Sequence, residues 1–216
     1  MSRAHIHPDV ILDGRLAIFH ERSRWLALAD LHFGYEIEFR RAGGLFPMVG
    51  MEKIEERLTS LIEDYEPERV FLAGDLVHGR ASNREMAAFC RRMGKLGPQL
   101  TFLAGNHDRG AITTKLDFED FVRTDGFYIH HGHLPSAAHE DEIEVVGHHH
   151  PAITLRDGAG LKIKLPSLIQ ESHDSRGERW ILPAFSPWAG GTTWKDHPSC
   201  ETRRWACSPQ RVFEIR

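Results

Sequence analysis

Asp30 and His32, Asp75, Asn106 to Asp108, His131 and His133, and His148 to His150 are the residues of this chain whose types and spacing could do chemistry. They stand in five short runs: Ala29-Asp30-Leu31-His32, Gly74-Asp75, Gly105-Asn106-His107-Asp108, His131-Gly132-His133 and Gly147-His148-His149-His150. Each run follows a short apolar stretch. Carboxylate and amide oxygens alternate with imidazoles, a donor mixture that suits a pair of borderline divalent cations such as Mn²⁺, Fe or Zn²⁺. Two such ions a few ångströms apart form a clamp for hydrolysing phosphate esters.

The elements around these runs must bring them together. Residues 16–19 and 25–29 flank a polar Glu21-Arg22-Ser23-Arg24 and predict a hairpin. Residues 70–73, 100–104, 127–129 and 143–146 read as buried strands. Met51, Ile54, Leu58, Leu61, Ile62 and Tyr65 recur at helix spacing up to Pro67. Met86, Phe89, Cys90 and Met93 form a second stripe, with Ser82 and Glu85 ahead of it at capping-box spacing. Strands alternating with helices predict an α/β fold around a central sheet. After Pro151 the pattern turns to β, with strands at 161–165, 180–182 and 212–215 and exposed loops at 158–160, 172–177 and 195–209. No repeat or linker interrupts the pattern, so residues 1–216 are expected to form a single domain.

Every polar run sits at the C-terminal end of a predicted strand, where open α/β sheets bind ligands. Strand alternation turns Leu31 away and lets Asp30 and His32 face one ion; His148 and His150 repeat the pattern. The same alternation turns His130 and His149 away from the ligands. Gly74 permits a sharp turn that brings the Asp75 carboxylate between two ions.

Composition narrows the classes. A net charge of −4 is not the profile of a strongly basic, non-specific nucleic-acid binder, although a locally basic groove stays open. The three cysteines, Cys90, Cys200 and Cys207, fit neither a disulfide framework nor a zinc knuckle. Met1-Ser2-Arg3-Ala4-His5 opens no apolar leader, and no stretch approaches transmembrane length, so a soluble cytoplasmic protein is expected. Fifteen histidines are the unusual feature, and many lie inside the five runs.

The ordered set D-x-H, GD, GNHD, HG and GHxH, running from Asp30 to Pro151, resembles the calcineurin-like metallophosphoesterases. That resemblance implies a four-layer αββα sandwich. More narrowly, residues 30–34, Arg40-Arg41-Ala42-Gly43, Gly74-Asp75-Leu76-Val77-His78-Gly79-Arg80 and Leu182-Pro183-Ala184-Phe185 are similar to the bacterial PdeM subgroup. These are the ligase-associated DNA damage response endonucleases, relatives of the nuclease SbcD. Two features depart from the subgroup: His149 stands where leucine or threonine is usual, and residues 167–179 form a longer segment.

The resemblance implies that Asp30, His32 and His150 hold one divalent ion and that Asn106, His131 and His148 hold a second. Asp75 would bridge them, with a water or hydroxide completing the bridge and attacking in line. Mn²⁺ is the expected cofactor; Fe, Zn²⁺ and Ni²⁺ also suit these donors. His107 would donate to the scissile phosphate or protonate the leaving alkoxide, with Asp108 orienting its imidazole. Arg80 and Arg109, each within a few residues of a ligand, read as phosphate-binding guanidinium groups, and His78 and His133 either contact substrate or support a metal ligand from behind. Arg40-Arg41 could equally be a solvated face. Trp188 and Trp194 could stack a base or pack at the sheet edge.

The expected function is therefore a two-metal phosphodiesterase, with DNA or a nucleotide as the diester substrate. DNA-repair partners follow from the subgroup resemblance, no membrane is involved, and the state is monomer or homodimer. One rival is a small-molecule phosphatase or pyrophosphatase on the same scaffold. An open basic groove favours the nuclease and a closed apolar pocket the rival. A non-catalytic scaffold would be expected to have lost a ligand or His107, and this chain keeps them all.

Overall fold

Short apolar runs bounded by turns become strands, and they sort into two sheets. The computed structural model describes residues 2–79, 83–108, 112, 115–173, 177–195 and 199–215. The first sheet opens as an antiparallel meander of β1 (Arg3–His7), β2 (Val10–Asp13), β3 (Ala17–His20) and β4 (Trp25–Leu28). It continues in parallel through β5 (Arg69–Ala73), β6 (Gln99–Leu103) and β7 (Phe118–Glu119). The crossovers carry α1 (Tyr35–Arg41), α2 (Gly50–Tyr65) and α3 (Asn83–Gly94). Leu28 pairs with Leu72 and Ala73 with Leu103, so the three chains leave the sheet at one edge.

The second sheet is built from β8 (Phe121–Thr124), β9 (Phe127–His130), β10 (Ile143–Val146), β11 (Pro151–Arg156), β12 (Lys162–His173), β13 (Gly177–Ile181), β14 (Thr192–Thr193), β15 (Glu201–Cys207) and β16 (Val212–Ile215). Parallel pairing of β9 with β10 and of β10 with β13 sets His130, Val146 and Ile181 side by side. Alternation gives this sheet two different faces. Val145, Leu168 and Trp180 join the large core shared with the first sheet, where the Trp25 and Phe127 rings meet edge to face at 5.3 Å. Val146, Ile169 and Ile181 point the other way and form a small separate cluster against Trp194.

The fold is mixed α/β with two sheets and few helices, the metallophosphoesterase arrangement that the resemblance implied. The described helices all lie in the first half of the chain, and α2 and α3 add Ile54, Leu58, Leu61, Met86, Phe89 and Met93 to the core. No helix among the described residues is long and apolar enough to cross a membrane. Ser82, of the expected capping box, lies outside the described residues.

Two segments depart from expectation. Residues 195–209 read as an exposed loop, yet β15 lies within them and buries Trp205, Ala206 and Cys207 beside β12. Its Glu-Thr-Arg-Arg opening hides the strand, and a buried bond from Trp205 Nε1 to Gln170 Oε1 at 2.8 Å fixes its register. The described residues of 172–177 likewise belong to strands β12 and β13, not to a loop.

Candidate metal centre

The runs that end β4 and β5 are knitted to each other by main chain. The Asp30 amide donates to the Gly74 carbonyl at 3.1 Å, and the His32 amide donates to the Asp75 carbonyl at 2.9 Å. Beyond the strand ends the backbone enters the left-handed region at Asp30 (φ 58°), His32 (φ 43°), Asp75 (φ 51°), His148 (φ 66°) and His150 (φ 46°). Such conformations cost of order 1–3 kcal/mol each for non-glycine residues and persist where the surroundings over-determine them. Here the surroundings include Gly74, at φ 81°, where a Cβ would run into the His131 ring. So close an approach admits only glycine.

Two donor sets result. Asp30, His32 and His150 form one, with His32 Nε2 3.3 Å from His150 Nε2 and His150 Nε2 3.4 Å from Asp30 Oδ1. Asp75, His131 and His148 form the other, and Asn106 Oδ1 joins it 3.1 Å from His131 Nε2. Separations of this size are those of donors sharing one ion through bonds of ~2.0–2.2 Å. Asp75 faces both sets, with Oδ1 3.4 Å from His131 Nε2 and Oδ2 3.9 Å from His32 Nε2. His131 Nδ1 lies 3.0 Å from the Ala73 carbonyl, a bond that assigns the proton to Nδ1 and leaves Nε2 as the donor atom. The Asp30 carboxylate also accepts the His148 amide at 3.0 Å.

The electrostatics of His32, His148 and Asp75 match this chemistry. At His131 burial is outweighed by the hydrogen bond and charge of Asp75, which raise the imidazole, so a bound ion would displace a proton from its Nε2. Burial, partly offset by Asp30 and Asp75, pushes the His32 imidazole down to about 4, so it is neutral near pH 7 with its lone pair available. Burial also lowers His148, with the charge of His131 adding to the effect. Burial opposes ionisation of Asp75, but the hydrogen bond and charge of His131, the His107 amide and His32 outweigh it and hold the carboxyl well below its usual range. The predicted ligands thus converge, and their donor chemistry fits two divalent cations.

His107 stands at the mouth of the centre. Its amide donates to Asp75 Oδ1 at 2.9 Å, its Nε2 lies 3.9 Å from Asp75 Oδ2, and its side chain is 51% exposed. Asp108 requires a correction, because its carboxylate does not orient the His107 ring. Oδ1 accepts the Leu76 amide at 2.8 Å and the Val77 amide at 3.3 Å, while Oδ2 accepts the Gly105 amide at 3.0 Å. In a tight turn the neighbouring side chains diverge, and the buried carboxylate clamps the Asp75 run to the Asn106 run. Burial pushes the Asp108 carboxyl up to about 6 even though these amides favour its charged form. Asp108→Ala leaves buried amides unpaired, and a stability loss of about 2–4 kcal/mol is expected in urea unfolding. Activity on good and poor leaving groups should fall in equal proportion, because no proton donor is touched.

A cavity of about 220 Å³ opens beside the first donor set, lined by His32, Tyr35, His78, His107, His150, Ser186, Trp188 and Ala189. His78 is one of its walls, with its ring 4.5 Å from that of Tyr35 and 6.2 Å from that of His107. His133 lies on the other side, its ring 5.2 Å from that of His131. Arg80 and Arg109 lie outside the described residues. Arg40 donates from Nε to the Phe46 carbonyl at 3.0 Å. His130 is buried and bonded to Glu144 at 2.8 Å, and His149 meets Arg179 at 3.3 Å and the edge of Trp194.

Sequence reasoning missed several supports. Buried Glu36 accepts the Met51 amide at 2.8 Å and Trp188 Nε1 at 3.2 Å, tying α1, α2 and the cavity wall together. Arg57 donates to the Phe185 carbonyl at 2.7 Å, and the Phe185 and Ser186 amides donate to the carbonyls of Ala29 and Asp30 at 2.8 and 3.1 Å. The Leu182-Pro183-Ala184-Phe185 run therefore underpins Asp30. The available signal was the Pro-Ala-Phe-Ser-Pro-Trp stretch that closes the last buried strand.

The family model for calcineurin-like phosphoesterases matches residues 23–206. The chain belongs to the calcineurin-like phosphoesterase family. As a member it is a phosphoesterase, a hydrolase, and the family binds two divalent metals. This calcineurin-like phosphoesterase is similar to a solved structure, the Pseudomonas putida nuclease MPE, at 22% identity and a TM-score of 0.72, over 99% of this chain and 98% of that one. A protein of unknown function, AQ665 from Aquifex aeolicus, aligns at 14% identity and a TM-score of 0.37, over 57% of this chain and 77% of that one. No curated protein sequence matches.

Proposed function

We propose that this phosphoesterase is a two-metal phosphodiesterase acting on nucleic acid or a nucleotide-like diester. The observation that carries this reading is Asp75, whose two oxygens face two separate donor sets while the exposed His107 ring stands over the same carboxylate. Asp30, His32 and His150 would hold one ion, Asn106, His131 and His148 the other, and Asp75 both. Bound there, the ions would lower the pKa of a water and neutralise charge on the phosphoryl oxygens. Mn²⁺ is the proposed ion, and Fe, Zn²⁺ or Ni²⁺ suit the same donors.

The chain's own groups do the rest. The Asp75 tie to the His107 amide fixes the backbone from which that imidazole reaches the leaving oxygen. Tyr35 and Trp188 offer aromatic faces to the second substituent that a diester has and a monoester lacks. His78 and His133 flank the centre on its two sides, and Arg80 and Arg109 are proposed to contact phosphate. The nuclease named in the Pseudomonas putida structure agrees with a nucleic-acid substrate. On this reading the chain is a single-domain cytoplasmic enzyme, monomeric or homodimeric, and its DNA-repair association rests on the subgroup resemblance.

The test compares bis-p-nitrophenyl phosphate, p-nitrophenyl phosphate, single-stranded DNA and 2′,3′-cyclic nucleotides across added divalent ions. The bis ester should show the higher kcat/KM with Mn²⁺, and DNA or a cyclic nucleotide should be cleaved. A higher kcat/KM for the monoester under every active ion would overturn the reading in favour of a small-molecule phosphatase.

A further inference from the structure

We propose that Glu171, His173 and Cys200 form a further cation site on the outer face of the second sheet, suited to Zn²⁺ and distinct from the centre above. One ligand atom from each lies within 4.8 Å of the others. The strands dictate this convergence. Glu171 and His173 are alternate residues of β12 and share a face, the same one as Ile169 and its cluster against Trp194. Ser172 pairs with Glu201 in the antiparallel ladder with β15, so the register continued by one step sets Cys200 opposite His173. Cys200 Sγ lies 3.3 Å from His173 Nδ1 and 2.7 Å from Nε2. Sulfur and nitrogen donors on one tetrahedral zinc stand roughly 3.3–3.7 Å apart. The pair need open only slightly to admit an ion.

Two further observations point to a cation. Glu171 is buried, it accepts Trp194 Nε1 at 3.2 Å, and among the described residues no lysine or arginine pairs with it. A buried carboxylate without a positive partner is costly. Thr202, which pairs with Glu171 across the ladder, has a buried hydroxyl with no hydrogen-bond partner. A water in the fourth position of the ion would give that hydroxyl a partner. Thiolate, imidazole and carboxylate together favour Zn²⁺ over Mn²⁺ or Mg²⁺. The site would pin the start of β15 to β12, next to the Glu171 carboxylate that holds Trp194. The role is structural, and the phosphodiesterase reading does not depend on it.

Co²⁺ is the probe, because a thiolate–Co²⁺ bond gives a near-ultraviolet charge-transfer band that a centre of oxygen and nitrogen donors lacks. The other two thiols are buried and pushed up to about 12 by that burial, which leaves Cys200 as the reporter. Titration of the full chain to saturation should give the band at the intensity of one thiolate–Co²⁺ bond per chain, whatever ions the other centre takes up, and Zn²⁺ should displace it. Cys200→Ser should abolish the band while hydrolysis of the bis ester stays within about twofold. If that variant fails to fold, the wild-type protein decides, because Zn²⁺ should slow modification of Cys200 by a thiol reagent about tenfold or more. No band in the folded wild type, a band that survives Cys200→Ser, or a modification rate indifferent to Zn²⁺ would each overturn the proposal. None of these readouts needs turnover, so they succeed or fail independently of the phosphodiesterase assignment.

Discussion

Asp75→Asn is expected to release both ions and to lower turnover ~10³-fold or more, since water away from a metal is a far weaker nucleophile at neutral pH. Asp75 faces Nε2 donors of both sets, with oxygens 3.4 Å from His131 Nε2 and 3.9 Å from His32 Nε2, whereas Asp30 approaches His131 at Nδ1, the nitrogen turned to the Ala73 carbonyl. Its carboxyl is held well below its usual range, so it carries full charge at any working pH. Asparagine keeps the shape and one acceptor. The bond from the His107 amide at 2.9 Å can therefore persist while the charge is lost. Metal content after dialysis and kcat on bis-p-nitrophenyl phosphate measure the effect. The unfolding midpoint in the presence of chelator should match wild type, which separates metal loss from misfolding. Wild-type turnover with both ions retained would sink the bridging role.

Much of the fold and of this centre was legible because each polar run follows a short, largely apolar strand. Such strands, β4, β5, β6, β9 and β10, are recognisable one at a time, and sheet topology then sets their ends together. The reason for the D-x-H and GHxH spacing was not legible. Alternation in an extended strand predicts that Asp30 and His32 share a face, whereas the structure presents them through left-handed steps beyond the strand end, with Leu31 fully buried between them. Both geometries carry the same signature in sequence. Asp108 misleads in the same way: adjacency to His107 suggests partnership, but a turn aims the two side chains apart and the carboxylate takes amides from another run. Supports contributed across the chain were out of reach. The bond between Glu36 and Trp188 spans 152 positions, and nothing local marks the two as partners. β15 was hidden by the polar residues that open it, and with it the approach of Cys200 to His173.

His107→Gln is expected to keep both ions and to slow hydrolysis of a diester with a poor alkoxide leaving group by ~10²–10⁴-fold, the usual loss when one positioned proton donor is removed. Three observations support the proposed role. Its ring is not enclosed by either donor set, its side chain is 51% exposed at the mouth of the cavity, and its amide bond to Asp75 Oδ1 fixes where the ring begins. Glutamine retains a hydrogen-bond donor but cannot release a proton. The loss should therefore be much smaller on bis-p-nitrophenyl phosphate, because p-nitrophenolate departs without protonation. The informative quantity is the ratio of the two losses, read from kcat with metal content measured on the same samples. A ratio near one would assign His107 to the phosphate oxygens in place of the leaving group. Loss of metal would make it a ligand and remove it from the proton path. With Asp108 engaged by main-chain amides, the carboxylate that faces the ring among the described residues is Asp75, 3.9 Å away from its Nε2. Asp75→Asn combined with His107→Gln should lose little more than Asp75→Asn alone, because a proton donor adds little once the ions and their water are gone.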